Sequence, residues 1–399
     1  MLHVFQEHFL NGSDQQEYLH VANVLLGRET EVVTHIFELR PFFFPLYLGL
    51  TLSVSPMFYL CAQLLCLIIA VFLLVKTVFK LCGSGLYVFI AMLFTLSSAT
   101  LLMAPYQAMS ESLCVLFISA FVYFYISYFT SGEKFYLLAY ALFALTIAVC
   151  IKGIFLPFLC VFLIVHLVRK ELFPSSKSAF IVILAFSPII IQLGITQSIL
   201  GSPTISKAGT YNFSSRYFPG IYGVAEFGQF AHYNSEEAEK ARQEYPEITA
   251  QIGYLFEHPA AWATTTWSLW KHNYERGGEW LYFPDQSIQV TPKQHLFWKT
   301  SARIDTGIMW LHIIMMPLAV VIIAFKMNSL GHSPWLPMLM LLQLSIFLLS
   351  VLVYYQGDRI VLVTLPVFAV AYPFILKSLV EFLKDTARMN VRIPKSVVT

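Results

Sequence analysis

The stretch "PMFYLCAQLLCLIIAVFLLV" (residues 56–75) runs for twenty positions without a charge, and Gln63 is its one strongly polar side chain. A helix needs about 20 apolar residues to cross a bilayer's hydrocarbon core. This stretch therefore reads as a membrane-crossing helix. Comparable runs follow at 86–105, 112–129, 135–150, 154–168, 179–200, 308–325, 335–355 and 360–382, nine in all. The expected fold class is an all-α polytopic membrane protein.

Composition agrees. The chain has 399 residues, of which 57% are hydrophobic, 16% aromatic and only 12% charged, with mean hydropathy +0.67. A soluble domain carries roughly 25% charged residues. The formal net charge of +2 and the absence of a basic patch give no reason to expect nucleic acid as a partner. Residues 1–40 hold no apolar stretch of signal-peptide length. All six cysteines (Cys61, Cys66, Cys82, Cys114, Cys150 and Cys160) sit in or beside apolar runs and read as small packing residues, not as a disulfide framework or metal site.

The short basic loops set an orientation. Lys76 and Lys80, Lys134, Arg169 with Lys170 and Lys177, Lys326 and the tail "KDTARMNVRIPK" would all be cytoplasmic. Residues 1–40, the turn at 105–111, Lys152, the polar region 199–305 and "YYQGDR" then share the opposite face. Five regions follow: an acidic extracytoplasmic loop with interfacial helices (1–55), a transmembrane bundle (56–200), a late extracytoplasmic loop (201–305), C-terminal transmembrane helices (306–382) and a cytoplasmic tail (383–399). "RPFFFPLYLGLTLSV" (40–54) is too broken by proline to join the next helix. It is expected to lie at the interface, with Phe42, Phe43, Phe44 and Tyr47 at headgroup depth. In the late loop, Ser235 can cap a helix to about Tyr245, and a second helix is expected from Tyr254 towards Tyr274.

Charges placed where apolar residues would cost less are the informative ones. On the non-cytoplasmic side these are Asp14, Glu38, Arg40, Glu111, Lys152, Asp358 and Arg359, each at or just outside the end of a span. Each also has a structural reading. Asp14 and Glu111 suit helix N-termini, while Arg40, Lys152 and Arg359 suit interfacial anchors. Their gathering on one face points instead to a surface site for a charged headgroup.

Five stretches in order resemble the GT-C superfamily, in particular the protein-O-mannosyltransferase-like and aminoarabinose-transferase-like family. "SDQQEYLHVANVLLG" resembles its acidic stretch, with Asp14 on the proposed catalytic base. "ELRPFFFPLY" resembles the next element, with Arg40 on a basic residue that faces lipid phosphate. "APYQAMSESLCVLF" places Glu111 on an acid that opens a helix, "CIKGIFLPF" places Lys152 on the family lysine, and "GDRIVLVTLP" keeps Arg359 and Pro366 of the terminal motif. Ile360 and Val363 depart from that motif, Phe42 departs from the early one, and only "MLHVFQEHFLNG" precedes the acidic stretch where relatives carry a helix.

The resemblance implies a GT-C-like bundle and an inverting glycosyltransferase acting on a polyprenyl- or dolichyl-phosphate-linked sugar. Asp14 and Glu111 would be catalytic, and Arg40, Lys152, Arg359 and Glu38 would bind substrate. The metal is left unknown, with a divalent ion at Glu38 as one option. The acceptor is a lipid, glycan or protein hydroxyl, and membrane lipids are partners. The compartment is read as a bacterial inner or plasma membrane ahead of the endoplasmic reticulum. A transporter of a lipid-linked or polar substrate and a non-catalytic scaffold subunit stay open. The triplets "NGS" at Asn11 and "NFS" at Asn212 are sequons on the expected outer side.

Overall fold

The computed structural model describes residues 13–173, 175–275, 335–352 and 362–391, with isolated positions between 296 and 314. Every regular element among them is a helix. Helices α1 (Ser13–Leu25), α2 (Thr34–Leu39) and α3 (Phe43–Val54) lead into the long rod α4 (Pro56–Cys82). Ser55 caps α4 by accepting from the Phe58 N–H, Pro56 occupies its first turn, and Gly83 ends it in the left-handed region at φ 67°. No breaker stands between Val75 and Gly83, so the helix continues past the run read from sequence and carries Lys76 and Lys80 with it.

Helix α5 (Gly85–Ser97) is followed by α6 (Ala99–Met103) and a 3-10 turn at Ala104–Tyr106. The expected single span at 86–105 is bent by 63° here. Ser98 leaves helical geometry and caps the new start by accepting from the Leu101 N–H. Buried Asp305 accepts from both the backbone N–H and the hydroxyl of Thr100, at 3.0 and 2.9 Å. Then come α7 (Glu111–Thr130), α8 (Phe135–Ile151), a 3-10 turn at Gly153–Phe155 and α9 (Leu156–Val168). Helices α10 (Ser176–Ala185) and α11 (Ser187–Leu200) meet at 51°, because Pro188 in the first turn of α11 has no N–H to continue the ladder.

The late region holds α12 (Ala208–Asn212), a π turn at Phe213–Tyr217, α13 (Phe218–Phe227), α14 (Glu236–Glu244), α15 (Ile248–Glu257) and α16 (Pro259–Glu275). Ser235 caps α14 as expected, accepting from the Ala238 N–H at 3.2 Å. The helix expected from Tyr254 onward is two helices, because Pro259 forces a new start after His258. Phe218, Tyr222 and Tyr254 give this region its own aromatic core. It docks on α17 (Trp335–Leu349) through Trp270 Nε1 and Asn273 Nδ2, which donate to the carbonyls of Phe347 and Ser350 at 3.1 Å each. Helix α18 (Leu365–Val391) closes the described chain.

Among the described residues, three helices are long and apolar enough to cross a membrane: Pro56–Cys82, Glu111–Thr130 and Trp335–Leu352. The number rises to five if each bent pair counts as one span, against the nine expected. The runs at 135–150 and 154–168 form the shorter apolar helices Phe135–Ile151 and Gly153–Val168, parted at Lys152. Apart from isolated positions up to 314, the run at 308–325, like Arg359, lies outside the described residues.

Helix α7 runs through the middle of the bundle between α4 and α8. It buries Phe121 and Tyr125 against Phe158 and Phe162. The outer faces expose large apolar side chains in rows, among them Leu65, Ile68 and Phe72 of α4, Phe89 of α5, and Phe180 and Ile183 of α10. Apolar area left in water costs about 25 cal/mol per Å², and patches of this extent mark a surface meant for something other than water. The pattern is that of a membrane protein.

The aromatic cluster of α3 is packed inside the protein. Phe44 is fully buried and meets Tyr18 edge-on at 4.8 Å, and Tyr47 approaches Tyr59 at 6.1 Å. The cause is α1, whose apolar face of Tyr18, Val21 and Ala22 needs a cover. Gly49 lets the two helices close, since a Cβ there would sit 2.8 Å from Leu26 and 3.0 Å from Ala22.

The bundle has two chemically distinct ends. At one, Lys80 donates to Ser127 and Ser131, Lys377 to the Leu81 carbonyl, and buried His166 joins Glu171 and Tyr125. At the other lie the starts of α4 and α7 and the junction of α8 with α9.

Candidate functional site

Asp14 stands in the first turn of α1, where the helix dipole favours an acid. Arg40 directly follows α2 and is extended (φ −107°, ψ 103°), because Pro41 disfavours helical geometry in its predecessor. That kink turns the guanidinium onto the face of α1. Nη2 donates to Asp14 Oδ1 at 2.5 Å, Nε donates to Glu17 Oε2 at 2.6 Å, and the group lies over the Tyr18 ring at 4.9 Å. Burial opposes the charge on Arg40, but Tyr18, Asp14 and Glu17 outweigh it and raise its pKa above the ordinary value. Glu17 was not among the residues singled out from sequence; its signal was the i,i+3 spacing from Asp14.

Lys152 ends α8 with extended backbone, and its Nζ donates to Glu111 Oε1 at 2.9 Å. Glu111 opens α7 and is buried, so this is an ion pair at the interior edge of the bundle. Glu38 pairs with Lys207 at 2.5 Å, and the Lys207 N–H donates to the Glu38 carbonyl at 2.7 Å. The neighbouring ammonium works against a cation at Glu38. No group of three metal-ligating side chains occurs among the described residues.

Asp14, Arg40 and Lys152 come together on one cleft of about 310 Å³. Tyr18 and Pro41 line it with Asp14 and Arg40, Ile154 and Pro157 follow Lys152, and Leu349 of α17 and Leu352 of the 3-10 turn after it line it too. Ser206, Thr210 and Asn212 line it as well. Glu111 stands behind Lys152 and Glu38 beside the cleft; neither lines it. The site thus offers two cations in a polar corner, each already holding a carboxylate, next to an apolar wall. An entering phosphate ester can exchange for those carboxylates, and its hydrocarbon part can lie on the apolar side.

Gly153 has ordinary backbone geometry; its role is close approach. A Cβ there would lie 3.1 Å from the Ser206 Cβ. Gly153→Ala is therefore expected to cost about 1–3 kcal/mol through overpacking, read as a lower melting temperature of detergent-purified protein. Adding Ser206→Gly should restore it, whereas Ser206→Ala, which keeps the Cβ, should not. Compared with family models, with curated proteins and with solved structures, the chain matches none.

Proposed function

We propose that the chain is an inverting glycosyltransferase of GT-C type, which moves a sugar from a polyprenyl- or dolichyl-phosphate carrier to an acceptor hydroxyl on the non-cytoplasmic face of its membrane. The nine-span bundle and a bacterial plasma membrane belong to the same reading. The observation that carries it is the meeting of Asp14, Arg40 and Lys152, far apart in sequence, on one cleft between a polar corner and an apolar wall.

In the reaction the acceptor oxygen attacks the anomeric carbon from the side opposite the phosphate. The new C–O bond forms as the bond from that carbon to the phosphate oxygen breaks, and one such displacement inverts the centre. The hydroxyl proton passes to Asp14. The polyprenyl phosphate leaves with added negative charge, which Arg40 holds through its planar fork and Lys152 as a point charge. Before the donor arrives, Asp14 is the partner of Arg40. The incoming phosphate takes over that guanidinium contact and releases the carboxylate for the acceptor, so donor binding prepares the base. Glu111 orients Lys152.

Arg40→Ala should raise the KM for the lipid-linked donor about 10- to 100-fold, the worth of a charge-assisted hydrogen bond at 1.5–3 kcal/mol. An unchanged KM would reduce Arg40 to an anchor. The function itself is tested with vesicles carrying the chain and a labelled polyprenyl-phosphate sugar. Transfer moves the label to a new acceptor and frees polyprenyl phosphate. Label that changes leaflet while still on its carrier would mean a transporter, and label that does neither would mean a scaffold.

A further inference from the structure

We infer that Thr210 and Asn212 read the hydroxyl groups of the transferred sugar. This inference rests on the glycosyltransferase reading of the cleft. The charged groups there are committed to one another: Asp14 and Glu17 to Arg40, and Glu111 to Lys152. Ser206 is committed as well, donating to the Leu39 carbonyl at 3.0 Å and accepting from the Ala208 N–H at 3.2 Å. Thr210 and Asn212 line the same cleft. Neither side chain has a hydrogen-bond partner among the described residues.

Their chemistry is neutral and two-sided. A hydroxyl and a carboxamide each donate and accept, which suits the hydroxyls of a sugar better than a phosphate or a metal ion. The charged corner already accounts for the phosphate. The cleft's volume of about 310 Å³ falls at the small end of ligand sites, which run from about 300 to 1,000 Å³. It has room for one sugar ring beside the phosphate.

The wall that carries the pair is fixed in advance. Gln192, buried in α11, donates to the Ile205 carbonyl at 3.2 Å and accepts from the Phe42 N–H at 2.9 Å. Thr196 and Thr204 exchange two hydrogen bonds of 3.0 Å. The Lys207 and Ser206 contacts then tie segment 204–212 to the end of α2, beside Arg40. Polar groups mounted on such a segment lose little freedom when a ligand binds. Asn212 of the "NFS" triplet therefore faces the cleft.

The test compares binding of decaprenyl phosphate with binding of decaprenyl phosphates carrying mannose, glucose or arabinose. Wild-type protein is expected to bind at least one sugar-bearing lipid about tenfold more tightly than the bare phosphate. Thr210→Val with Asn212→Ala should bring that ratio to about one and leave affinity for the bare lipid unchanged, which also shows the variant to be folded. Thr210→Val alone, which keeps the side-chain shape, should lose part of the ratio. A sugar preference that survives both substitutions, or a wild-type protein with no preference, would overturn the inference. Wild-type protein that binds no decaprenyl phosphate at all would overturn the reading of the cleft, and this inference with it.

Discussion

Asp14→Asn is expected to lower sugar transfer by roughly 100- to 10,000-fold, the usual span for loss of a general base, while the donor still binds. The amide keeps the shape of the side chain, and its oxygen can still accept from Arg40, but it cannot take the acceptor's proton. Glu17 continues to hold Arg40 through Nε, so the corner stays assembled. With one anionic competitor removed from the guanidinium, affinity for the lipid phosphate should stay level or rise. Initial transfer rates and a donor titration on the same preparation measure both quantities. Wild-type turnover, or a loss of binding that matches the loss of rate, would show that Asp14 is not the base.

The second large effect concerns stability. Lys152→Met takes the ammonium away from Glu111, which is 1% exposed. A buried charge that loses its partner typically costs 3–5 kcal/mol. Glu111→Gln should cost less, since the amide carries no charge. The double change Glu111→Gln with Lys152→Met should recover most of the loss, because it replaces the ion pair with two neutral groups of similar size. Unfolding titrations of the detergent-purified protein give the three values. A single Lys152→Met as stable as wild type, or a double variant no better than the single, would mean that the pair does not act as a buried ion pair. Transfer should stay low in the double variant even where stability returns, since the phosphate has lost Lys152.

How much of this was legible follows from the range of each interaction. Apolar runs, the cap at Ser235 and the interruption at Lys152 and Gly153 depend on near neighbours and could be read directly. So could the placing of Asp14, Arg40 and Lys152 on one side, since charge and hydropathy decide it. The bends at Ser98 and Phe186 were hidden because hydropathy averages across a break. One of them is fixed by Asp305, more than two hundred residues from Thr100. The pairing of Glu38 was not legible, because its partner Lys207 is 169 residues away. Segment 204–212 carried no signal beyond the sequon at Asn212, because Gln192, Leu39 and Glu38 position it from far away in sequence. The burial of Phe44 was not legible, because only the packing of α3 on α1 produces it.

Photolabelling tests the cleft as a lipid-phosphate site most directly, and it needs no knowledge of the acceptor. A polyprenyl phosphate with a diazirine in its first isoprene unit would be bound, irradiated and mapped by peptide mass spectrometry. The expected adducts fall on the apolar wall beside Lys152, at Ile154, Pro157, Leu349 or Leu352, and disappear when Arg40→Ala and Lys152→Met are combined. Adducts confined to the outward faces of α4 and α5, unchanged in that variant, would contradict the assignment.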